Sequence, residues 1–276
     1  MTARLALPAA LFAIAGGLFA TTKQASAQPP SFAHEVPAIR EGKPVLAFNG
    51  KDLTGFYTYT KGGKFDDPKH VFSVVDGQLR ISGEDYGGVI TRAKYRDYHL
   101  VVEWKWGAKT WGSRAKAARD SGILLHCVGP DGAAGGQWME SIECQIIEGG
   151  CGDFIMVGGL GQPQLTCATR LGPDKQRYYE KGGEEIVGKG MRFNWWGRDP
   201  AWKDVLGYRG PRDVEKPAGE WNRMEVVCDG DAITNIVNGY VVNVGTKSSL
   251  TEGKILIQSE GAEIIFRKIE VRPLVK

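Results

Sequence analysis

The densest run of residues able to do chemistry is Ser141-Ile142-Glu143-Cys144-Gln145-Ile146-Ile147-Glu148. Polar and apolar residues alternate along it, so Glu143 and Gln145 share one face of a strand. Glu148 lies five residues beyond Glu143, and a regular strand turns it to the opposite face. If the repeated isoleucine marks a β-bulge, Glu148 returns to the same side. Two carboxylates a few ångströms apart on one sheet face suit general acid–base work. The plain alternative is a pair of solvated acids at a strand end.

Other residues could join them. His126 sits in the strand-like run Gly122 to Val128. It could act as a base, a metal ligand or a satisfied core side chain. Alternation puts Leu124 and His126 opposite Ile123, Leu125 and Cys127. Glu103 and Lys105 share a face of the run Tyr98 to Trp106, as a surface ion pair or as part of the same polar cluster. Trp138, Trp195 and Trp196 offer broad apolar plates that can stack on sugar rings, although a tryptophan taken alone reads first as core. Arg92, at a strand end, reads as a solvated charge.

These groups need a scaffold, and the sequence describes an all-β one. Strand-like runs recur between glycine-rich turns: 71–75, 78–82, 88–91, 98–106, 122–128, 141–147, 221–228, 232–237, 240–244, 254–258 and 264–271. Val75-Asp76-Gly77-Gln78 and Val237-Asn238-Gly239-Tyr240 are hairpin signals, because Asp-Gly and Asn-Gly supply the positive φ angles of two-residue turns. No stretch sustains a helical apolar period. The pattern predicts two antiparallel sheets packed as a β-sandwich jelly roll. Two irregular stretches interrupt it, the basic 107–120 and the aromatic-rich 181–217. Irregular stretches of this size in a compact domain are commonly functional or disordered, and the tryptophans favour function, since disordered linkers are poor in aromatics.

Composition sets outer bounds. Residues 1–27 read as a secretory signal peptide: Arg4, an apolar run from Leu5 to Ala20, then Ala25-Ser26-Ala27 before Gln28. The run falls short of the ~20 apolar residues that span a bilayer, and no later segment is long and apolar enough. Export to the periplasm or the extracellular space is expected, with residues 28–276 forming a single catalytic domain. No lipobox cysteine follows Ala27, which disfavours a lipid anchor. The whole chain carries a formal charge of +3. Removing Arg4 and Lys23 leaves +1, a near-neutral balance that disfavours nucleic acid as a partner. The five cysteines show no zinc-type spacing. Cys151 and Cys167 flank a glycine-rich loop and form the disulfide pair to expect first, while Cys127, Cys144 and Cys228 read as buried hydrophobes.

Several blocks together carry a resemblance: FNGKDLTGF (Phe48 to Phe56), VVDGQL (Val74 to Leu79), DSGILLH (Asp120 to His126), ECQIIE, KPAGEWN (Lys216 to Asn222) and the C-terminal IQSEG…IIFRKIEVRPL. In this order, from about residue 44 to 274, they resemble the 3-keto-disaccharide hydrolase or 3-keto-glucoside lyase/hydratase family. The resemblance implies a concanavalin-like jelly roll. It also implies cleavage of glycosides oxidised to a ketone at carbon 3. Such a ketone acidifies the hydrogen on carbon 2; its removal gives an enolate, and the group on carbon 1 leaves by β-elimination. Water can then add.

Carried over, Glu143 and Gln145 match the family's Glu-x-Gln strand, Glu103 and Lys105 an acid-then-basic pair, and Gln258 a glutamine facing the same cleft. His126 stands where many members have arginine. The resulting expectation makes Glu143 base or metal ligand, His126 its partner and Lys105 the enolate-side cation. Gln145, Gln258 and Glu103 would hold the substrate. A divalent cation could polarise the ketone instead, with His126, Glu143 and Glu148 as first candidate ligands. Two rivals stand beside this. Glu-x-Gln-x-x-Glu resembles the Glu-x-Asp-x-x-Glu strand of laminarinase-type β-glucanases, which implies an ordinary glycosidase. A lectin-like module without turnover also fits a jelly roll.

Overall fold

The computed structural model describes residues 28–276, so the expected signal peptide lies outside the described residues. In chain order the strands are β1 (Leu46–Ala47), β2 (Phe56–Thr60), β3 (Phe72–Val75), β4 (Gln78–Ile81), β5 (Gly87–Thr91), β6 (Tyr98–Thr110), β7 (Asp120–Val128), β8 (Glu140–Ile147), β9 (Phe154–Val157), β10 (Gln164–Leu171), β11 (Arg177–Tyr179), β12 (Glu184–Lys189), β13 (Arg192–Phe193), β14 (Asn222–Asp229), β15 (Ala232–Val237), β16 (Tyr240–Thr246), β17 (Lys254–Ser259) and β18 (Ala262–Pro273). Among the described residues the helical elements are two short 3₁₀ turns, Ser31–His34 and Gly112–Arg114.

The strands form two antiparallel sheets. The small sheet has the order β13-β9-β8-β7-β17-β5-β2, and the remaining eleven strands form the large one. The two stack as a jelly roll, as the alternation and turn signals predict, of the concanavalin-like kind that the family resemblance implies. The Asp76-Gly77 and Asn238-Gly239 pairs have positive φ and close two-residue hairpins at Val75↔Gln78 and Val237↔Tyr240. Two parts of the reading are corrected. The stretch 181–217 is not wholly irregular, since it contains β12 and β13. Cys151 and Cys167 are not bridged; all five thiols are free and buried.

The core lies between the sheets. From the small sheet Ile123, Leu125, Ile142, Cys144, Ile146 and Ile257 point inward, meeting Trp104, Trp106, Met224, Val226, Ile264 and Phe266 of the large sheet. Burying each such aliphatic side chain contributes roughly 1.5–3 kcal/mol, so register in β7 and β8 is firmly set: a one-residue slip would turn all of them outward. The other face of the small sheet then takes the residues between them, and this face holds the site.

Candidate functional site

Three cross-sheet rows build the outer face of the small sheet. Pairings give Tyr57–Ile90–Leu256–Leu124–Glu143 as one row. The next holds Tyr59, Gly88, Gln258, Gly122 and Gln145. The third holds Asp120 beside Ile147, with Glu260 just past the end of β17. A small apolar cluster that includes Tyr59, Ile90, Leu124, Met139 and Leu256 paves the first part of this face. The acids lie at the other end.

Gly122 explains how they come together. Its φ is not positive, so turn geometry does not require glycine here. The reason is space: a β-carbon at Gly122 would overlap Glu143 Oε1 and Gln258 Oε1. Both side chains lean over the bare backbone. Glu143 is 4 % exposed, Asp120 2 % and Gln258 fully buried. Glu143 Oε1, Asp120 Oδ1 and both amide atoms of Gln258 lack a hydrogen-bond partner among the described residues. Gln258 nonetheless lies near enough to Glu143 to favour its charged form, without the alignment of a formed bond. Four unpaired polar atoms at one buried spot are unusual, because each costs about 1–3 kcal/mol when unsatisfied.

Burial dominates the electrostatics. It pushes the Glu143 carboxyl up to about 8, helped by the charge of Asp120 and opposed by Arg192. It pushes Asp120 up to about 7, against the pull of Arg114, which is ion-paired to it. Half-buried Glu260 also rises well above the carboxylate range, through burial and then the repulsion of Asp120 and Glu143. Like charges so close do not all ionise, and near neutral pH the group retains protons that isolated acids would have lost.

The two irregular stretches wall the acid end. Arg114, from the basic stretch, also binds both oxygens of Asp204 at 2.9 and 3.1 Å. Asp204 in turn accepts from the Ala118 amide at 3.0 Å, and the Leu206 amide donates to the Lys116 carbonyl. A cavity of about 330 Å³ opens there, lined among others by Asp120, Arg192, Tyr178 and Trp202. Fully buried Asp153 holds Arg192 and Arg198, and the Arg198 guanidinium lies 4.3 Å from the Trp202 ring centre.

Of the residues singled out in the sequence, Glu143, Gln145 and Gln258 do meet on this face, and Trp138 flanks it, half-buried beside Tyr86. The others lie elsewhere. His126 is turned the opposite way. β7 carries one extra residue between Leu125 and Val128 relative to both neighbours, and His126 takes φ +53° there. The bulge resets the alternation, so the His126 ring enters the core edge-on to Tyr98 at 5.5 Å. Its Nδ1 donates to the Leu250 carbonyl at 2.9 Å, since a carbonyl can only accept. The expected common pocket for His126 and Glu143 does not form.

Glu103 and Lys105 are on the outer face of the large sheet, across the sandwich. Glu103 pairs with Arg267 and Arg223, and Lys105 covers the Trp221 ring at 4.8 Å. Trp195 and Trp196 are core residues at 1 % and 3 % exposure, their indole N–H groups given to backbone carbonyls. Glu148 is bound to Arg119 and to the Gly207 amide. β8 pairs regularly with β7 up to Asp120↔Ile147, so no bulge brings Glu148 beside Glu143. His126, Glu143 and Glu148 therefore form no ligand set, and among the described residues no group of three or more His, Cys, Asp or Glu is arranged to hold a metal.

Sequence reasoning missed Asp120, Glu260, Arg114, Arg192 and Trp202. Asp120 and Glu260 stood inside quoted motifs, at the first position of DSGILLH and the fourth of IQSEG. Arg114 and Trp202 stood in the two irregular stretches. Their side chains could not be placed without the pairing register.

The molecule is a two-sheet jelly roll with a cluster of carboxylates buried on one face of its small sheet. The chain belongs to the 3-keto-alpha-glucoside-1,2-lyase-like domain family, whose model matches residues 43–272. A search of curated proteins finds no match. Among solved structures, the chain is similar to a protein from Parabacteroides distasonis that carries the provisional name glycosyl hydrolase, with 20 % identity over 84 % of this chain and 98 % of that one and a TM-score of 0.47. It is similar also to a carbohydrate-binding module from Bacillus subtilis (10 %, 79 % and 95 %, TM-score 0.43). A non-specific endo-β-1,3(4)-glucanase gives 10 %, 86 % and 93 %, with a TM-score of 0.44.

Proposed function

We propose that this chain cleaves 3-keto-glycosides by β-elimination, with net hydrolysis when water adds to the product. The observation that carries this reading is the unpartnered Glu143 carboxylate oxygen over Gly122, next to Asp120 and the unpartnered Gln258 amide. Glu143 has no ion pair, so its oxygen is open to take a proton. Arg114 favours the charged form of Asp120, so the proton the two acids share rests mainly on Glu143; in the form that reacts it has passed to Asp120, leaving Glu143 as the base.

In this reading Glu143 removes the hydrogen from carbon 2. The C–H electron pair becomes the carbon–carbon double bond of an enolate, and the charge moves onto the former ketone oxygen, toward the guanidinium of Arg192. Collapse of the enolate breaks the bond from carbon 1 to the leaving oxygen. Asp120 protonates that oxygen as it departs. Gln145 and Gln258 offer amides to the ring hydroxyls, and Trp138 offers an apolar face. A raised carboxyl fits the base role, because proton transfer is most efficient when the base's pKa lies near the working pH. Chemistry through a bound cation would need ligands other than the set His126, Glu143 and Glu148.

Family membership supports the substrate class, and the leader-like residues 1–27 support export with one catalytic domain from residue 28. The test is Glu143→Gln, assayed on a 3-keto-glycoside and on the same sugar unoxidised. Turnover of the keto-sugar should fall by about 10²-fold or more, with affinity largely kept. Equal turnover of the plain glycoside by the wild type would instead favour an ordinary glycosidase. Binding without turnover of either would favour a lectin.

A further inference from the structure

Beside Trp202 the wall of the acid pocket is an arginine. Arg198 is 7 % exposed, lies across the Trp202 ring and donates to fully buried Asp153. Asp153 also holds Arg192, so two guanidinium groups share one carboxylate and one positive charge is left over. The other nitrogens of Arg198 make no hydrogen bond among the described residues.

Arg198 also borders a second cavity, of about 470 Å³, lined by Arg170 and Arg212 as well, with Asp199, Pro200 and Pro211 among its walls. Arg170 and Arg212 form no ion pair among the described residues. Arg170 is held in place: its guanidinium lies 4.8 Å from the Tyr178 ring centre and donates to the Trp196 carbonyl at 3.3 Å. Arg212 is exposed. The one acid of this lining, Asp199, is engaged by neutral donors, the Tyr208 hydroxyl at 2.6 Å and the Ala201 amide at 2.8 Å, and pairs with none of the three arginines. Cations gathered in one cavity repel one another. An oxyanion relieves that repulsion, because its oxygens accept the parallel N–H pairs that a planar guanidinium presents.

We propose that this cavity binds an oxyanion, either a free one or an acidic group borne by the leaving part of the glycoside. Both sources present the same chemistry to the arginines. The second is open because the cavity shares Arg198, Asp199 and Pro200 with the one lined by Asp120, the acid assigned to the leaving oxygen. That source rests on the Glu143 reading; the oxyanion site itself does not.

Calorimetry on the full chain tests this with inorganic sulfate, titrated at constant ionic strength set by chloride. Wild type should bind sulfate saturably. Affinity should fall about tenfold or more in Arg212→Ala and in Arg170→Lys, which keeps the charge and loses the fork. It should be unchanged in Glu143→Gln. Arg212 is exposed and unpartnered, so Arg212→Ala should retain the wild-type melting curve. No saturable sulfate binding, or binding that survives both arginine variants, overturns the proposal. Two unoxidised sugars, maltose and 4-O-α-glucosyl-glucuronate, then distinguish the sources. Tighter binding of the uronate that is lost in Arg212→Ala supports the site and assigns it to the substrate; equal binding of the two sugars beside intact sulfate binding supports the site as one for a free anion. Turnover of a 3-keto-glycoside reports on Glu143 separately: sulfate binding without turnover removes the catalytic reading alone, and turnover without sulfate binding removes this one alone.

Discussion

Glu143 and Asp120 titrate together, so their behaviour belongs to the pair. With the steps near about 7 and about 8, the singly protonated form is most populated between them. A mechanism that needs one base and one acid then predicts a bell-shaped kcat/KM with its maximum at about pH 7 to 8, measurable on a 3-keto-glycoside from pH 5 to 10. Asp120→Asn should remove the alkaline limb. The same groups set a stability trend of opposite sense. Both folded-state values lie above those of the unfolded chain, so the folded state holds protons that the unfolded chain has released. Their contribution is intact below about pH 4 and is lost as pH rises through 7 and 8. Glu143→Gln should match the wild type in thermal melts at pH 4 and exceed it by about 1–3 kcal/mol at pH 9. A slope should remain, because buried Glu215 is raised to about 8 as well. At this scale Glu143 and Gln145 were legible from alternation alone, and Gln258 from the family motif. Asp120 was not: an acid at a strand's first residue looks solvated until register sets it beside Ile147 and under Arg114.

Strands β7 and β8 show where element-level reading holds and where it stops. The Ile142, Cys144 and Ile146 face was read correctly because β8 is regular. The same arithmetic failed on β7 at one residue. Leu124 and Leu125 alternate as expected, and the bulge then swings His126 inward. Histidine tolerates the left-handed conformation better than β-branched residues do, but nothing in Leu-Leu-His-Cys marks a bulge. Ile146-Ile147 is the converse case: two isoleucines in line are compatible with a bulge, but β8 stays regular there and Glu148 does not join Glu143. These placements have separate consequences. His126→Ala should lower the melting temperature, because the ring fills core space beside Tyr98 at a cost of about 2–4 kcal/mol when truncated, yet leave kcat/KM within about threefold. Gly122→Ala should do the reverse. Its β-carbon displaces Glu143 and Gln258, so turnover should drop at least tenfold while unfolding stays cooperative.

At the scale of the molecule, the all-β class and most of the long strands were evident from the Asp-Gly and Asn-Gly turns and the period-two runs. The strands between 154 and 193 were hidden. Glycine and charge interrupt their alternation, and β10 to β12 depend on pairing with one another rather than on a strong apolar face. The tryptophans misled for a related reason. Trp195 and Trp196 sit in a stretch that looks like a loop, but they pack edge-on to each other at 5.0 Å inside the core, whereas Trp202, seven residues on, reaches the cavity. The thiols give a whole-molecule test. Since all five are buried and unbridged, a reductant should not shift the melting temperature, and a thiol reagent should titrate them only after unfolding.

Asp204 joins two stretches that are about ninety residues apart in sequence, taking Arg114 and the Ala118 amide on one side and belonging to the aromatic stretch on the other. Together with the Leu206–Lys116 backbone bond and Glu148, which binds Arg119 and the Gly207 amide, this carboxylate latches two flaps, and neither can swing away from the acid pocket unless the other is released. Entry and exit of substrate should accordingly be gated as one event. In Asp204→Asn, amide hydrogens of 112–118 and 202–208 should exchange faster together, with the sheets behind them unaltered.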